Sequence, residues 1–500
     1  MVDSLRSCEY VFDPDELMFD APGLSVTPCK RDVWEDCSQC ILHADIDVKP
    51  VGAVLEAVQD GDLTRGTILR DASFTDTDAF SGHGFTLSDF SGTTFSDIDF
   101  SGSGFEEASF DGCTIRESVF NNCFLDNSDF VDASLFNVDI RQSTTQSTNF
   151  KNSSLDHVDF ERTDIEGAIF SGAHLSDVDL SRVADSGNLY FDDARILSCD
   201  LSYCDLRNTW FNDSSCYLAN FANSRFAGSD FSGSELQNCD FTMAHLRKVN
   251  FRNADILGCD LTGASLFDIS LHNVRVSQGT SFGLPILHEQ IADWNRYSDG
   301  EVELRLSWWS DEWPESIKTP DGPRTALKAL VTRSELCEKQ YDAAAQLYET
   351  IQQLQRRNGI TTHLREYRIQ EKHATRKAAL AGGKWFSWLK LEISRLTSLY
   401  AESYERVILT SVLLIFGFSL IYPIWGLKTA NETVIYGSNL QLAIDTVVQS
   451  LYFSIVTFTT LGYGDIQPLG GSQLVAAIES FLGALLMAFL VFVLGRRTVE

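Results

Sequence analysis

Phenylalanine stands at every fifth position of FSGHGFTLSDFSGTTFSDIDF, residues 80–100. Outward from this stretch, the same step carries Phe, Leu or Ile over residues 80–180 and, in a second run, apolar residues over 191–276, with one exception in each run. A one-residue slip near residues 181–190 separates the two runs, and another lies just before residue 80. Neither a helix nor an ordinary strand repeats every five residues, so the period indicates a solenoid.

A mostly small residue lies two positions before each large apolar one, as Ala108 does before Phe110. If each side of a square coil is one pentapeptide, both residues point inward and stacked coils share one core at strand spacing. Half of the twelve cysteines occupy this small position, where Cys acts as an apolar filler suited to a reducing cytoplasm. These cysteines are Cys113, Cys123, Cys199, Cys204, Cys239 and Cys259.

The five-residue pattern resembles the pentapeptide-repeat family over roughly residues 64–285. The resemblance implies a right-handed quadrilateral β-helix with four pentapeptides per coil, about ten coils and a length of about 50 Å. We expect this rod to be a spacer, or a docking surface for a cytoplasmic protein partner. Some members of the family mimic DNA and bind topoisomerases, and DNA mimicry is the second interpretation.

The chain is strongly acidic, with 70 Asp and Glu residues against 39 Lys and Arg residues and a formal net charge of -31. Such a surface repels nucleic acid, so no nucleic-acid partner is predicted. The acidic residues recur along the whole soluble part rather than in one run. This distribution favours adaptation to high salt, as in acidic halophile proteins, over DNA mimicry.

Residues 286–400 are predicted to form a cytoplasmic helical linker. The stretch YDAAAQLYETIQQLQRRNG (341–359) resembles a tetratricopeptide-type hairpin, and a locally basic helix is expected over about 361–380. Residues 385–399 have the pattern of an amphipathic helix. Two interpretations remain open for it: a helix at the membrane surface and an ordinary packed helix.

Two apolar runs, about 407–427 and 474–494, are long enough to span a bilayer. Basic residues flank the first run on its N-terminal side and the second on its C-terminal side. The positive-inside rule therefore predicts a multi-pass protein of the cell membrane with both termini in the cytoplasm. Between the spans, residues 441–458 have the pattern of a short apolar helix followed by TTLGYGD.

The motif TTLGYGD (459–465) resembles the potassium-channel signature TVGYGD, and residues 400–497 resemble two-helix potassium channels. Gly462 and Gly464 can adopt left-handed backbone angles that are closed to residues with a Cβ atom. Successive carbonyl groups can then line one narrow pore and replace the water around a potassium ion. Leu461 stands where the family usually has Val or Ile, a mild departure. The predicted filter residues are Thr459, Thr460, Leu461, Gly462, Tyr463, Gly464 and Asp465.

Two residues of the second span are predicted to support the pore. Gly483 lies about where the family's inner helix has its hinge glycine, although a packing glycine is the alternative. Glu479 is an intramembrane carboxyl group, which must be paired, and we expect it to hold the rear of the filter through a hydrogen bond.

The resemblance implies a potassium-selective channel subunit that conducts K⁺ as the permeant ion. One chain supplies one filter strand, so the resemblance implies a homotetramer around a cyclic axis in the lipid bilayer. The alternative is a membrane-tethered acidic interaction scaffold with a vestigial pore, and a third possibility is a non-selective cation pore. No arrangement of nucleophile and base rises above background, so no enzymatic activity is predicted.

The N-terminal segment contains the pattern C-x7-C-x2-C-x2-H, formed by Cys29, Cys37, Cys40 and His43, with Cys8 as an alternative ligand. Three thiols and an imidazole match a structural zinc site, and reduced, unliganded cysteines are the other interpretation. The chain is therefore predicted to be multidomain: a right-handed quadrilateral β-helix, a helical linker region and an α-helical two-span membrane pore domain. The predicted domains are 1–63 (N-terminal segment), 64–285 (β-helix), 286–400 (linker) and 401–500 (pore).

Overall fold

The computed structural model describes residues 7–13, 17, 26–35, 37–46, 49–60, 64–183, 186–266, 268–286, 289, 333–429, 433–434 and 440–499. The chain forms two compact units. The first contains residues 1–290 with 353–360, and the second contains residues 291–352 with 361–500. Most of the first part of the predicted linker, residues 290–332, lies outside the described residues.

The first unit is built on a β-solenoid whose largest face is an 11-stranded parallel sheet. Neighbouring strands pair at an offset of 20 residues, as Thr94 does with Thr114, so each coil contains four pentapeptides. This confirms the predicted β-helix. Its strands are β3 (Ser73–Thr77), β4 (Thr94–Ile98), β5 (Thr114–Arg116), β6 (Ser134–Asp139), β7 (Ser154–Asp159), β8 (His174–Ser176), β9 (Arg195–Leu197), β10 (Ser215–Tyr217), β11 (Glu235–Gln237), β12 (Asp255–Leu257) and β13 (Arg275–Val276).

Both slips in the sequence period are single-residue insertions between coils. Ser73 pairs with Thr94 and His174 pairs with Arg195, each at an offset of 21 residues. A third insertion, which the apolar period does not reveal, gives the same offset between Asp260 and Ser281. The stacked coils therefore keep the inward register on both sides of each extra residue.

The corners of the coils explain the polar residues of the repeat. The residue two positions after each large apolar one usually has a positive φ, as at Asn122 (56°), Asn127 (58°) and Gly112 (64°). Gly and Asn populate this left-handed region at little cost, whereas most residues with a Cβ atom do not. The turn at each corner thus favours Asn, Asp and Gly over the remaining residue types.

The solenoid core consists of side chains stacked at the 20-residue step. Phe110 lies over Phe130 at a ring-centroid distance of 4.6 Å, and Phe211 lies over Phe231 at 4.4 Å. The cysteines of the small position are buried between these rings, and burial raises the pKa of the Cys113 thiol to about 12. Cys113 is therefore an inert filler, as its register predicts.

Three short elements precede the solenoid in the first unit. Strands β1 (Val11–Phe12) and β2 (Thr27–Pro28) pair in an antiparallel ribbon, and helix α1 (Val51–Gln59) follows. The amide of Ile68 in the first coil donates to the carbonyl of Leu42 at 2.8 Å. The N-terminal segment thus lies on the open end of the solenoid.

The described part of the second unit begins with a helical hairpin. Helix α2 (Arg333–Arg357) is followed by α3 (Leu364–Ala381), which packs against the N-terminal part of α2. Cys337 and Tyr341 of α2 form a buried cluster with Ala378 of α3. The stretch 341–359, predicted as a tetratricopeptide-type hairpin, is instead the C-terminal part of the single helix α2 and the turn after it, whereas α3 lies where the basic helix was expected.

Helix α4 (Trp385–Ser398) has an exposed apolar face. Its large apolar side chains recur at helical spacing and remain accessible in the chain, with Trp385 69% and Phe386 71% exposed. Leu389, Ile393 and Leu396 share this face. Ion pairs flank this face and tie the helix to α3, since Glu392 contacts Arg376 of α3 as well as Arg395.

The C-terminal part contains the two predicted spans and the helix between them. Helix α5 (Tyr404–Ile421) continues as a 3-10 turn (Tyr422–Ile424), α6 runs over Leu440–Phe458, and α7 over Ser472–Val499. The first and last of these are long and apolar enough to cross a membrane. Strands β14 (Leu427–Lys428), β15 (Thr433–Val434) and β16 (Gln467–Pro468) form a small antiparallel sheet between them.

Candidate functional site

The filter motif follows α6 directly and has an alternating backbone. Thr460, Gly462 and Gly464 have φ values of 56°, 54° and 78°, whereas Leu461 and Tyr463 between them have negative φ. The two glycines behave as the motif predicts. The positive φ of Thr460 is not predicted from its residue type, because a β-branched residue is strained in this conformation. Such strain is concentrated at functional sites.

The start of the motif is held by the end of the preceding helix. The amide of Thr460 donates to the carbonyl of Thr457 at 3.1 Å, and that of Leu461 donates to the carbonyl of Val456 at 3.0 Å. The Thr459 hydroxyl donates to the carbonyl of Ile455 at 2.6 Å. These amide groups therefore turn back toward α6. The side chains of the motif face outward, and Leu461 and Tyr463 are 58% and 67% exposed in the single chain.

Asp465 ends the motif and is fixed from two directions. Its carboxylate accepts a hydrogen bond from the Tyr452 hydroxyl at 2.8 Å and another from the amide of Ile466 at 3.1 Å. Tyr452 lies on α6, and strand β16 begins just after Ile466. The end of the motif is thus tied both to the helix before it and to the sheet after it.

Glu479 is fully buried on α7 and contacts two hydroxyl groups. Tyr422, at the end of the first span, and Ser454, on α6, each hydrogen-bond to its carboxyl group. The Ser454 hydroxyl also lies 2.8 Å from the carbonyl of Ile415 on α5. Glu479 therefore joins the two spans to α6. Its hydrogen bonds reach α6 and the end of α5, and not the filter motif to which the prediction assigned them.

Gly483 lies where α7 crosses the end of α6. A Cβ atom at this position would lie 2.1 Å from the carbonyl oxygen of Phe458 and 2.9 Å from its carbonyl carbon. Real Cβ contacts are essentially never shorter than 3.0 Å. Phe458 directly precedes the motif, so this glycine allows α7 to pack against the backbone that enters the filter. The structure places Gly483 in the packing position that was its alternative interpretation.

A buried charge cluster lies at the C-terminal end of α7. Its centre is Glu402, whose carboxylate accepts from Arg368 of α3 at 2.9 Å and lies 3.2 Å from the guanidinium of Arg496 on α7. The side chains of Glu402 and Arg368 are only 7% and 9% exposed. Nothing in the sequence pattern singles out Glu402, because its partners are 34 and 94 positions away (402 − 368 and 496 − 402).

Three successive left-handed residues deliver Glu402 to this cluster. Leu399, Tyr400 and Ala401 have φ values of 49°, 60° and 68°, a conformation that costs roughly 1–2 kcal/mol per residue. The Arg365 guanidinium donates to the backbone carbonyl of Glu402 at 3.0 Å, which helps to hold the loop. The connection between α4 and α5 is therefore a defined turn and not a slack linker.

The structure changes one ligand of the zinc site predicted in the N-terminal segment. The structure brings Cys8, Cys29, Cys40 and His43 together, all buried, with their ligand atoms within 4.8 Å of one another. Cys37 is partly exposed and lies outside this group, so the alternative ligand Cys8 takes its place. The reason is tertiary: the amide of Cys8 donates to the carbonyl of Arg31 across the ribbon, which sets Cys8 beside Cys29.

Comparisons with known families divide the chain as the geometry does. A model described as "Ion channel" matches residues 408–500. Models for a pentapeptide repeat region and for pentapeptide repeats match residues 113–186, 85–122, 199–238 and 229–268. No curated protein matches the chain.

Several solved pentapeptide-repeat structures are similar to the first part of the chain. HetL from the cyanobacterium Nostoc sp. strain PCC 7120 is 24% identical, covers 46% of this chain and 99% of its own, and has a TM-score of 0.22. QnrB1, a plasmid-mediated fluoroquinolone resistance protein, is 20% identical over 42% of this chain and 92% of its own, with a TM-score of 0.20. A pentapeptide repeat protein from the Arabidopsis thaliana thylakoid lumen is 20% identical over 29% and 89%, with a TM-score of 0.19. From the repeat register and the two matched regions together, the chain joins pentapeptide repeats to a C-terminal ion-channel domain.

Proposed function

We propose that this protein is a potassium-selective channel subunit that works as a homotetramer. The observation that carries the proposal is the alternating backbone of the motif, with positive φ at Thr460, Gly462 and Gly464. Neighbouring residues with φ of opposite sign can present their carbonyl groups to the same side of the chain. A column of such carbonyls from four chains replaces the hydration shell of K⁺.

The exposure of the motif supports assembly around an axis. Leu461 and Tyr463 are large side chains left accessible in the single chain, as are Phe481 and Leu485 on α7. One filter strand cannot surround an ion, and closed cyclic symmetry is the usual way in which identical chains complete a site. Neighbouring subunits would cover these side chains and close the pore.

We further propose that both termini face the cytoplasm and that the β-solenoid and hairpin regulate the pore or dock a protein partner. Arg406 precedes the first span and Arg496 ends the second, an arrangement that supports this orientation. The contacts of Glu402 give the regulation a physical route, because this carboxylate joins α3 to the end of α7. A movement of the hairpin would act directly on the helix that lines the pore.

The experiment that tests the proposal is ion substitution in liposomes. Full-length protein is reconstituted into two sets of liposomes, one loaded with potassium and the other with sodium. The efflux of the loaded ion down its gradient is then compared between the two sets. A potassium channel gives a flux that is far larger for K⁺ than for Na⁺. Comparable fluxes would instead support a non-selective cation pore, and silence in both salts would support the interaction scaffold.

A further inference from the structure

We propose that Cys8, Cys29, Cys40 and His43 form a structural zinc site that caps the open end of the β-solenoid. The four side chains are buried in the described part of the N-terminal segment, and each directs one ligand atom to a common point. Three thiolates and one imidazole are a ligand set typical of structural zinc, with the four positions of a tetrahedron filled.

The distances between ligand atoms fit an ion at the centre. Tetrahedral zinc with metal–sulfur bonds of about 2.3 Å and metal–nitrogen bonds of about 2.0 Å requires sulfur–sulfur separations of about 3.8 Å and sulfur–nitrogen separations of about 3.5 Å. The Sγ atoms of Cys29 and Cys40 are 3.8 Å apart. The Nδ1 atom of His43 is 3.6 Å from Cys8 Sγ and 3.2 Å from Cys40 Sγ.

The second nitrogen of the imidazole is also placed for metal binding. His43 Nε2 lies 3.0 Å from the backbone carbonyl of Arg65, which can only accept a hydrogen bond. Nε2 must therefore carry the proton, and this leaves the lone pair of Nδ1 directed at the three sulfur atoms. A hydrogen bond of this kind from the far nitrogen accompanies nearly all histidine ligands of metals. The ring of Tyr10 stacks on the imidazole at 4.0 Å and restricts its rotation.

The local fold explains why these four residues meet. Two of the ligands come from the antiparallel ribbon, in which Cys29 donates its amide to Tyr10 at 2.9 Å. The other two come from a tight turn, in which the amide of His43 donates to the carbonyl of Cys40 at 3.1 Å. A site built from a ribbon and a turn is held by few other contacts, and metal binding supplies folding free energy in such small segments.

The position of the cluster gives the ion its role. The carbonyl of Arg65 and the amide of Ile68 both belong to the first coil, and they contact His43 and Leu42. The Lys49 ammonium group donates to the carbonyl of Leu42 at 3.0 Å and also contacts that of Ile68. The end of a solenoid exposes unpaired backbone groups and needs a cap, which the zinc-bound turn provides here.

The first test is the metal content of the full-length protein, purified without chelator and measured by inductively coupled plasma mass spectrometry. The proposal predicts one zinc ion per chain in the natural protein and in Cys37→Ser. It predicts zinc retention against a competing chelator that is at least tenfold weaker in Cys8→Ser. Cys8→His keeps a ligand at this position, so it should recover zinc binding even if Cys8→Ser folds poorly.

The second test measures the cap itself by hydrogen exchange of the full-length protein. Removal of zinc should accelerate exchange of the Ile68 amide at least tenfold and leave the Phe150 amide, deep in the rod, unchanged. Natural protein without zinc would overturn the proposal. So would zinc that is kept in Cys8→Ser and lost in Cys37→Ser, or a peptide map by mass spectrometry showing that Cys29 and Cys40 form a disulfide. Unchanged exchange at Ile68 after zinc removal would overturn the capping role.

Discussion

Gly483 shows how a single missing methyl group shapes the pore domain. The close approach of α7 to the carbonyl of Phe458 leaves no room for a Cβ atom, and Phe458 leads directly into the filter. Gly483→Ala should therefore push α7 and the entrance of the filter apart. We expect potassium flux in liposomes to fall at least tenfold, because overpacking at a tight crossing costs about 1–3 kcal/mol in each chain.

The matched control for this change is Gly417→Ala on α5, where an added Cβ atom meets no other atom within 4 Å. This variant should conduct like the natural protein. A Gly483→Ala channel with normal flux would show that the two helices do not pack this closely in the membrane.

Residue types predicted part of the filter and missed the rest for a physical reason. A positive φ could be predicted at Gly462 and Gly464 because glycine lacks a Cβ atom. Thr460 also has a positive φ, which its residue type does not predict. Its amide donates to the end of α6, and this contact holds the conformation. Cys37 and Cys8 were exchanged as ligands for a similar reason, because the ribbon pairing that selects Cys8 is a tertiary contact.

Among the elements, helix α4 can be interpreted either as a helix at the membrane surface or as an ordinary packed helix. Its apolar face is exposed in the chain, while its ion-paired side contacts α3 through Glu392 and Arg376. A helix that is packed on one side and apolar on the accessible side fits the plane of a membrane interface. We therefore predict that α4 lies in the boundary between headgroups and acyl chains.

The prediction can be checked with a spin label on a Cys37→Ser background, because the remaining cysteines are buried. A label at Ile393 should be more accessible to oxygen than to a water-soluble nickel complex in liposomes. A label at Ser387, on the polar side of the same helix, should show the reverse. Equal accessibility at the two positions would mean that α4 does not lie in the membrane surface.

The elements themselves were largely predictable, because their signals are local. The period of five predicted the solenoid register through residues 64–276, and the two apolar runs predicted α5 and α7 to within six residues of their ends. The insertion before Ser281 was missed since it falls where the apolar period ends. Glu402 was missed because a charge cluster drawn from three elements leaves no pattern along the chain.

For the whole molecule, Glu402 is the residue through which we expect the helices before the first span to influence conduction. Glu402→Gln removes the charge that pairs with Arg368 and Arg496 while keeping the size of the side chain. Breaking a buried ion pair from one side costs roughly 3–5 kcal/mol. The open probability of single channels in planar bilayers should therefore change by at least threefold.

A suitable control is Glu366→Gln, an exposed carboxylate on α3 near the weak partner His363. This change should leave open probability as it is in the natural protein. An unchanged open probability in Glu402→Gln would contradict the proposed coupling between the α2–α3 hairpin and the pore. It would not affect the proposal of ion selectivity.

The proposed potassium filter is tested by comparing ion flux in the natural protein with that in Gly462→Ala. The backbone at Gly462 has a φ of 54°, which an alanine adopts only at a cost of roughly 1 kcal/mol in each chain. We predict potassium flux that exceeds sodium flux in natural protein reconstituted in liposomes. In Gly462→Ala this selectivity should be lost or the flux abolished. Equal potassium and sodium flux in the natural protein, or selective flux that Gly462→Ala leaves intact, would contradict the account.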